Sequence, residues 1–193
     1  MKLYLTTIGI AMAVVAAVNM IFKPESWLYI VISVFWCTAL QFALDGLIAI
    51  LIRITPDRYY GTENKHFEVS PFSKKLGKLL HVRKWKDKVW ELGGMGGFSK
   101  RSLVDPNDPE YIEKFIIECN KGVVTHRLSY PIGFLAMLTL EGEWAFTVAL
   151  PIAAVNLYLS ILPTLVLRYN TPALKRLLRR LREKHLIIQN KEL

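Results

Sequence analysis

The sequence predicts an all-α integral membrane protein: about four transmembrane helices, a cytoplasmic interfacial segment and a basic amphipathic C-terminal helix. Three observations predict it. The chain has 193 residues, of which 52% are hydrophobic, and its mean hydropathy is +0.28. Those apolar residues are bunched into four runs, and a soluble domain of this length has no interior able to bury four. The net charge of +9 is confined to two stretches, which is how a multi-pass topology shows itself in sequence.

Residues 3–22, LYLTTIGIAMAVVAAVNMIF, carry no charge and have the length of one bilayer crossing. A cleaved signal peptide is the weaker reading. Its charged start is only Lys2, the alanines near Ala16 and Ala17 loosely resemble a cleavage site, and a second apolar run follows after a short linker. Residues 27–54 form the second span, interrupted by Gln41 and Asp45. Asp45 would be costly against lipid, so it is expected to face protein or water, as a hydrogen-bonded group ahead of a direct catalytic one. The third span, residues 125–140, is short and disturbed by Pro131 and Gly133, so a tilted or half-inserted segment is also consistent. Residues 144–167 form the fourth.

The linkers "KPES" and "EGE" are short and carry little positive charge, whereas cations crowd residues 53–127 and the chain from Arg168 onward. Positive charge stays inside. The expectation is a single membrane domain over residues 1–193, multi-pass in the cell membrane, with both termini, the segment 55–124 and the tail 171–185 cytoplasmic. Cys37 and Cys119 sit in such different surroundings that no disulfide is expected, and no Cys/His spacing builds a zinc site. No cofactor is expected.

In the polar middle, Pro56 ends the second span. Tyr59, Tyr60, Phe67, Phe72, Trp85 and Trp90 suit a headgroup-level interface. "DPNDPEYIEKFIIECNKGVVTH" reads as a turn and then a helix, with Asp108 as N-cap, Pro109 at N1 and an apolar stripe of Tyr111, Phe115, Ile116 and Cys119. In the tail, Thr171 is read as a cap and Pro172 as the opening of a new helix. Leu174, Leu177, Leu178 and Leu181 lie on one face, opposite Lys175, Arg176, Arg179, Arg180 and Arg182. Such a helix suits an anionic membrane surface. Nucleic acid is rejected as its partner because a membrane span adjoins it.

Several patterns could carry chemistry. "GGMGGF" lacks the spacing and the strand–helix context of a dinucleotide fingerprint, and a flexible turn is the preferred reading. His81 and Asp87 have five residues between them, one too many for the His-x4-Asp of glycerolipid acyltransferases. Glu118 and His126 lie eight residues apart, roughly 80° and about 12 Å along a continuous helix. They could touch only through a kink, for which Gly122 is the candidate. A histidine there can accept a proton from an attacking hydroxyl, because its ordinary pKa lies near neutrality. An interfacial histidine that only hydrogen-bonds is the competing reading. Asn156 and Pro163 interrupt the fourth span, with Arg168, Tyr169 and Asn170 at its end. Arg168 is equally readable as a snorkelling anchor.

In order, "KWKD" (residues 84–87), E-x7-H (Glu118 to His126) and N-x6-P-x4-R-Y-N-x-P (Asn156 to Pro172) form a moderately specific combination. From about Phe67 to Leu174 the chain resembles the glycosyl-4,4'-diaponeurosporenoate acyltransferase family of small membrane acyltransferases. The resemblance implies transfer of a fatty acyl group from a thioester donor, such as acyl-CoA, to a hydroxyl of a membrane glycolipid or isoprenoid-type acceptor. It places Lys84, Trp85, Asp87, Glu118, His126, Asn156, Arg168 and Asn170 around the site; from side-chain chemistry, His126 is expected as general base with Glu118 or Asp87 orienting it. Lys84 and Arg168 would hold anionic groups or an oxyanion, and Trp85, Asn156 and Asn170 would join them in substrate binding. The chain departs from the family pattern in three places. "KVWELGG" stands where a proline-containing turn usually follows "KWKD", Leu167 stands where Gln often precedes "RYN", and Ala173 stands where a second Arg is common. These departures bear on the acceptor more than on the fold.

Two functions therefore stand side by side. The first is a membrane acyltransferase with its site on the cytoplasmic face, where a cytosolic phosphorylated donor would meet the excess of cations. The second is a small non-enzymatic scaffold or a subunit of a larger membrane complex. It explains the spans and the charge equally well, but not Asn156, Asp45 and His126 near one membrane depth.

Overall fold

The computed structural model describes residues 2–89 and 103–192, and among these the regular structure is helical. In chain order it comprises α1 (Lys2–Phe22), α2 (Trp27–Ile54), α3 (Pro71–Leu79), α4 (Val82–Trp85), α5 (Pro109–Ile132) and α6 (Leu150–Glu192). Trp90 and the glycine cluster at 93–97 lie outside the described residues. The chain divides into two compact units, Met1–Ile52 with Thr125–Leu162, and Arg53–Val124 with Pro163–Leu193.

In the first unit, α1 ends where Lys23 leaves helical geometry (φ −143°, ψ 66°) ahead of Pro24, as the clash between a proline ring and the preceding residue requires. On α2, Ile30, Ser33, Val34, Cys37, Gln41 and Ile48 are buried at intervals of three, four and seven that mark one helical face. Ile32, Phe35, Trp36, Leu47 and Ile50 are exposed on the others, as a lipid-facing surface requires. The buried α2 stripe meets Val15 of α1 and the small residues Ala136 and Ala149, and small residues let membrane helices approach closely.

Among the described residues, three helices are long and apolar enough to cross a membrane: Tyr4–Phe22, Pro24–Ile54 and Ala145–Ile187. The expected span at residues 125–140 is not a fourth of that kind. It combines the last turns of α5 with a 3-10 helix, Gly133–Thr139. Pro131 removes a backbone donor near the junction, and a 3-10 helix rises about 2.0 Å per residue against 1.5 Å for an α-helix, so a short run reaches farther. This segment runs antiparallel to α2. Ser129 faces Asp45, the Gln41 amide donates to the Gly133 carbonyl at 3.2 Å, Trp36 Nε1 donates to Thr139 Oγ1 at 3.1 Å, and Tyr29 and Trp144 stack at 5.2 Å. From Asp45 to Tyr29 the segment follows about 24 Å of α2. Beyond it, Lys23 pairs with Glu143 and lies 5.2 Å over the Trp144 ring. The two linkers that the charge argument puts on one side therefore meet.

In the second unit, α5 begins as expected: the Glu110 N–H donates to the Asp108 side chain at 2.9 Å, an N-cap bond. Its stripe Ile112, Phe115, Ile116, Cys119 and Val123 packs against Leu167, Leu174, Leu178 and Leu181 of α6. This seam corrects the reading of the tail in two ways. Thr171 is no cap: its hydroxyl donates to the Leu167 carbonyl at 2.8 Å, one turn back inside a continuous α6. Pro172 interrupts a helix rather than opening one. A proline in a helix interior costs about 3 kcal/mol, while burying each leucine stabilises by roughly 1.5–3 kcal/mol, so three leucines beyond the proline outweigh the lost bond. The leucine face is also covered by α5 and is not free to lie in lipid, whereas Arg176, Arg179, Arg180 and Arg182 stay exposed. Gly122 is not a kink. A Cβ there would stand 3.0 Å from the Leu167 side chain, so glycine permits close approach of the two helices.

Ile116 is fully buried in this seam. Ile116→Ala is expected to lower stability by roughly 2–5 kcal/mol, measured by denaturant unfolding in detergent. Leu138→Ala, at a residue 82% exposed, is expected to change it little.

Candidate functional site

Two polar constellations stand out, one in each unit. In the first, Asp45 faces Ser129 and Asn156, which bears out the expectation that it turns toward protein. Asn156 is buried, and its position depends on Gly133, where a Cβ would come within 3.0 Å of Asn156 Nδ2. The Ser129 hydroxyl is held by the Thr125 carbonyl at 3.2 Å. Asp45 and Asn156 line one pocket with Tyr4, Thr38 and Gln41. Asp45 Oδ1 and Asn156 Nδ2 are both buried, and although they face each other neither makes a hydrogen bond of ordinary length and angle. Such atoms are costly in an apolar setting, which makes them candidates for ligand contact. His126 is half-buried and lies three residues before Ser129 on α5, so the two side chains project from neighbouring positions on one helix surface.

The second constellation is a clasp around the chain between α2 and α3. Asn120 donates to the Tyr60 carbonyl at 2.9 Å. Lys121, only 9% exposed, pairs with Asp57 at 2.5 Å and lies 5.7 Å over the Tyr60 ring. From α6, Lys175 donates to the Thr62 carbonyl at 2.6 Å and Arg168 to the Glu68 carbonyl at 3.1 Å. Arg182 and Thr62 both reach Glu113, at 2.7 Å and 3.4 Å. This connecting segment pairs only part of its backbone within itself, in the 3-10 turns Asp57–Tyr60 and Lys65–Phe67, and side chains of α5 and α6 satisfy further carbonyls. Tyr60 and Phe67 are buried and pack as a tilted pair with ring centroids 6.1 Å apart, whereas Tyr59 and Phe72 are exposed. The expected aromatic interface is thus partly an internal contact.

The residues singled out in the sequence divide between the units: His126 and Asn156 lie in the first, and Lys84, Trp85, Asp87, Glu118, Arg168 and Asn170 in the second. "KWKD" forms α4 and a following 3-10 turn after His81, which adopts a left-handed φ of 50°. Trp85 Nε1 donates to the Leu80 carbonyl at 2.8 Å and locks that turn. Lys84 is exposed. Asp87 pairs with Lys86 at 3.1 Å, and Glu118 lies 3.8 Å from Lys121. Asn170 is half-buried.

Residues 56–180 match the family model of glycosyl-4,4'-diaponeurosporenoate acyltransferases. The chain belongs to that family. No curated protein and no solved structure matches it. The match covers about two thirds of the chain and begins after α2. It takes in "KWKD", Glu118, His126, Asn156 and the Arg168–Pro172 ending. It leaves out Tyr4, Thr38, Gln41 and Asp45. Membership, with three helices fit to cross a bilayer, makes this a membrane protein of an acyltransferase family.

Sequence reading did not give weight to Asn120, Lys121 and Lys175. The available signal was polar residues on the same α5 face as the apolar stripe, which in a helix facing a core asks for a named partner. Asn120→Ala leaves the Tyr60 carbonyl unpaired and is expected to cost about 1–3 kcal/mol. It should also speed proteolytic cleavage within residues 57–68, read by timed digestion and mass spectrometry.

Proposed function

We propose that the protein transfers a fatty acyl group from a thioester donor such as acyl-CoA to a hydroxyl of a membrane glycolipid or isoprenoid-type acceptor, at the cytoplasmic face. The observation that carries this reading is the family match over residues 56–180, which includes every residue of the "KWKD", Glu118–His126 and Asn156–Pro172 patterns. The acceptor oxygen attacks the thioester carbonyl carbon while His126 takes its proton. A C–O bond forms, the C–S bond breaks, and the proton passes to the departing thiolate. The products are an ester and a free thiol. Placement of His126 one turn from Ser129 supports it as the base, because the neighbouring polar cluster offers hydrogen bonds in an otherwise apolar unit.

Lys84 and Arg168 supply positive charge for the anionic groups of the donor, and Arg168 suits this because a planar guanidinium recognises phosphate in two-point fashion. Trp85 and Asn170 complete the donor side of this reading. The exposed cations Arg176, Arg179 and Arg180 draw the protein to anionic headgroups by charge, since the leucine face of that helix is covered.

The test is acyl transfer by purified protein in nanodiscs, with acyl-CoA and extracted membrane lipid, followed by mass spectrometry. His126→Ala is expected to lower kcat by about two orders of magnitude or more, with Glu118→Gln and Asp87→Asn reducing it less. An equal yield from wild type and His126→Ala would overturn the assignment of the base.

A further inference from the structure

Buried polar atoms are normally paired, and in a bilayer no water takes the place of a missing partner. Asp45 Oδ1 and Asn156 Nδ2 face each other, yet neither makes a hydrogen bond of ordinary length and angle. One is an acceptor and the other a donor. Asn156 is 8% exposed, and both residues line the same pocket, whose volume of ≈ 30 Å³ is about what one water or one hydroxyl fills. A second, apolar groove of ≈ 330 Å³ lies between α1 and α2, walled by Gly9, Ala13, Val31, Val34 and Phe35, and Met12 belongs to both spaces. At Gly9 no atom stands within 4 Å of where a side chain would begin, so the groove is open there.

We propose that the pocket holds the hydroxyl of a membrane lipid alcohol, with its hydrocarbon chain in the groove between α1 and α2. A hydroxyl is the smallest group that satisfies both atoms: it donates its proton to Asp45 Oδ1 and accepts from Asn156 Nδ2. A methyl end would leave both unpaired. An ammonium could not accept from Asn156, and a phosphate is too large for the space and would meet the Asp45 carboxyl group. Tyr4, Thr38, Gln41 and Asp45 precede residue 56, so most of this site lies outside the family-matched region. Identifying the bound hydroxyl with the acceptor of acyl transfer rests on the function proposed above. The binding itself does not.

The experiment uses the full chain in nanodiscs with no acyl donor. A photoreactive long-chain primary alcohol is cross-linked and the modified peptides are mapped, with its methyl ether as the control probe. The expected result is labelling of the groove peptides carrying Met12, Val34 or Phe35. Excess unlabelled alcohol should compete it away, and the methyl ether should label about tenfold less or worse. Asp45→Leu and Asn156→Leu should each reduce labelling by about tenfold. The same two variants should unfold no more easily than wild type, because each removes a buried polar atom that makes no hydrogen bond of ordinary length and angle. Equal labelling by alcohol and ether, or labelling unchanged in both variants, would mean that the pocket holds only water and would overturn the proposal. So would a large loss of thermal stability in Asp45→Leu and Asn156→Leu alike, which would make the pair structural. Since no donor is present, a negative acyl-transfer assay leaves this readout intact.

Discussion

The apolar seam between α5 and α6 is the contact on which the second unit depends. Ile112, Phe115, Ile116 and Cys119 on one helix, with Leu174, Leu178 and Leu181 on the other, keep α6 helical past Pro172. They also present Asn120, Lys121, Arg168 and Lys175 to the segment between α2 and α3. Three of that segment's carbonyls are met by Asn120, Arg168 and Lys175, and its Asp57 carboxylate by Lys121. If the seam loosened, the clasp would lose its two anchoring helices at once. Glu118, Arg168 and Asn170 are carried on the same two helices, so the seam also sets where the family's pattern residues sit within this unit.

Polar groups are treated differently in the two units. In the second, Lys121 is almost wholly buried and has a carboxylate and an aromatic face beside it. That is the ordinary way for a protein to hold a buried charge. In the first, Asp45 and Asn156 face each other without a hydrogen bond of ordinary length and angle, inside an apolar surround. A scaffold has no reason to retain that cost, since leucine at either position would pack with less penalty. A protein that binds hydroxyl-bearing lipids has one, because the cost is repaid only when ligand arrives.

Much of the architecture was legible because it follows from single-helix rules. Apolar length marked α1, α2 and the membrane part of α6. Asp108 and Pro109 marked the start of α5, and Pro56 the end of α2. What misled was always a contact between distant segments. Thr171–Pro172 carries a strong local start signal, yet the leucines after it find α5 and the helix continues. Gly122 looked like a hinge until Leu167 was seen to need its space. Residues 125–140 read as a span, yet from Gly133 they form a 3-10 helix and are not among the helices long and apolar enough to cross. In the site, Asp45 and Asn156 were visible as polar breaks in apolar runs. Their mutual exposure to one pocket requires α2 and α6 side by side, which spacing along the chain cannot convey.

The functional account rests on one chemical event, the exchange of a thioester for an ester on a membrane-held hydroxyl. Family membership supplies the class of reaction, and the intramembrane pair Asp45–Asn156 gives a reason for the hydroxyl to be held among helices. The most direct measurement is stoichiometric. Wild-type protein in nanodiscs is given isotope-labelled acyl-CoA and hydroxylated membrane lipid, and free thiol and labelled ester are quantified together. The account predicts one thiol released for each labelled ester formed. Thiol release without ester, the signature of a hydrolase, or no release with any lipid offered, would contradict it.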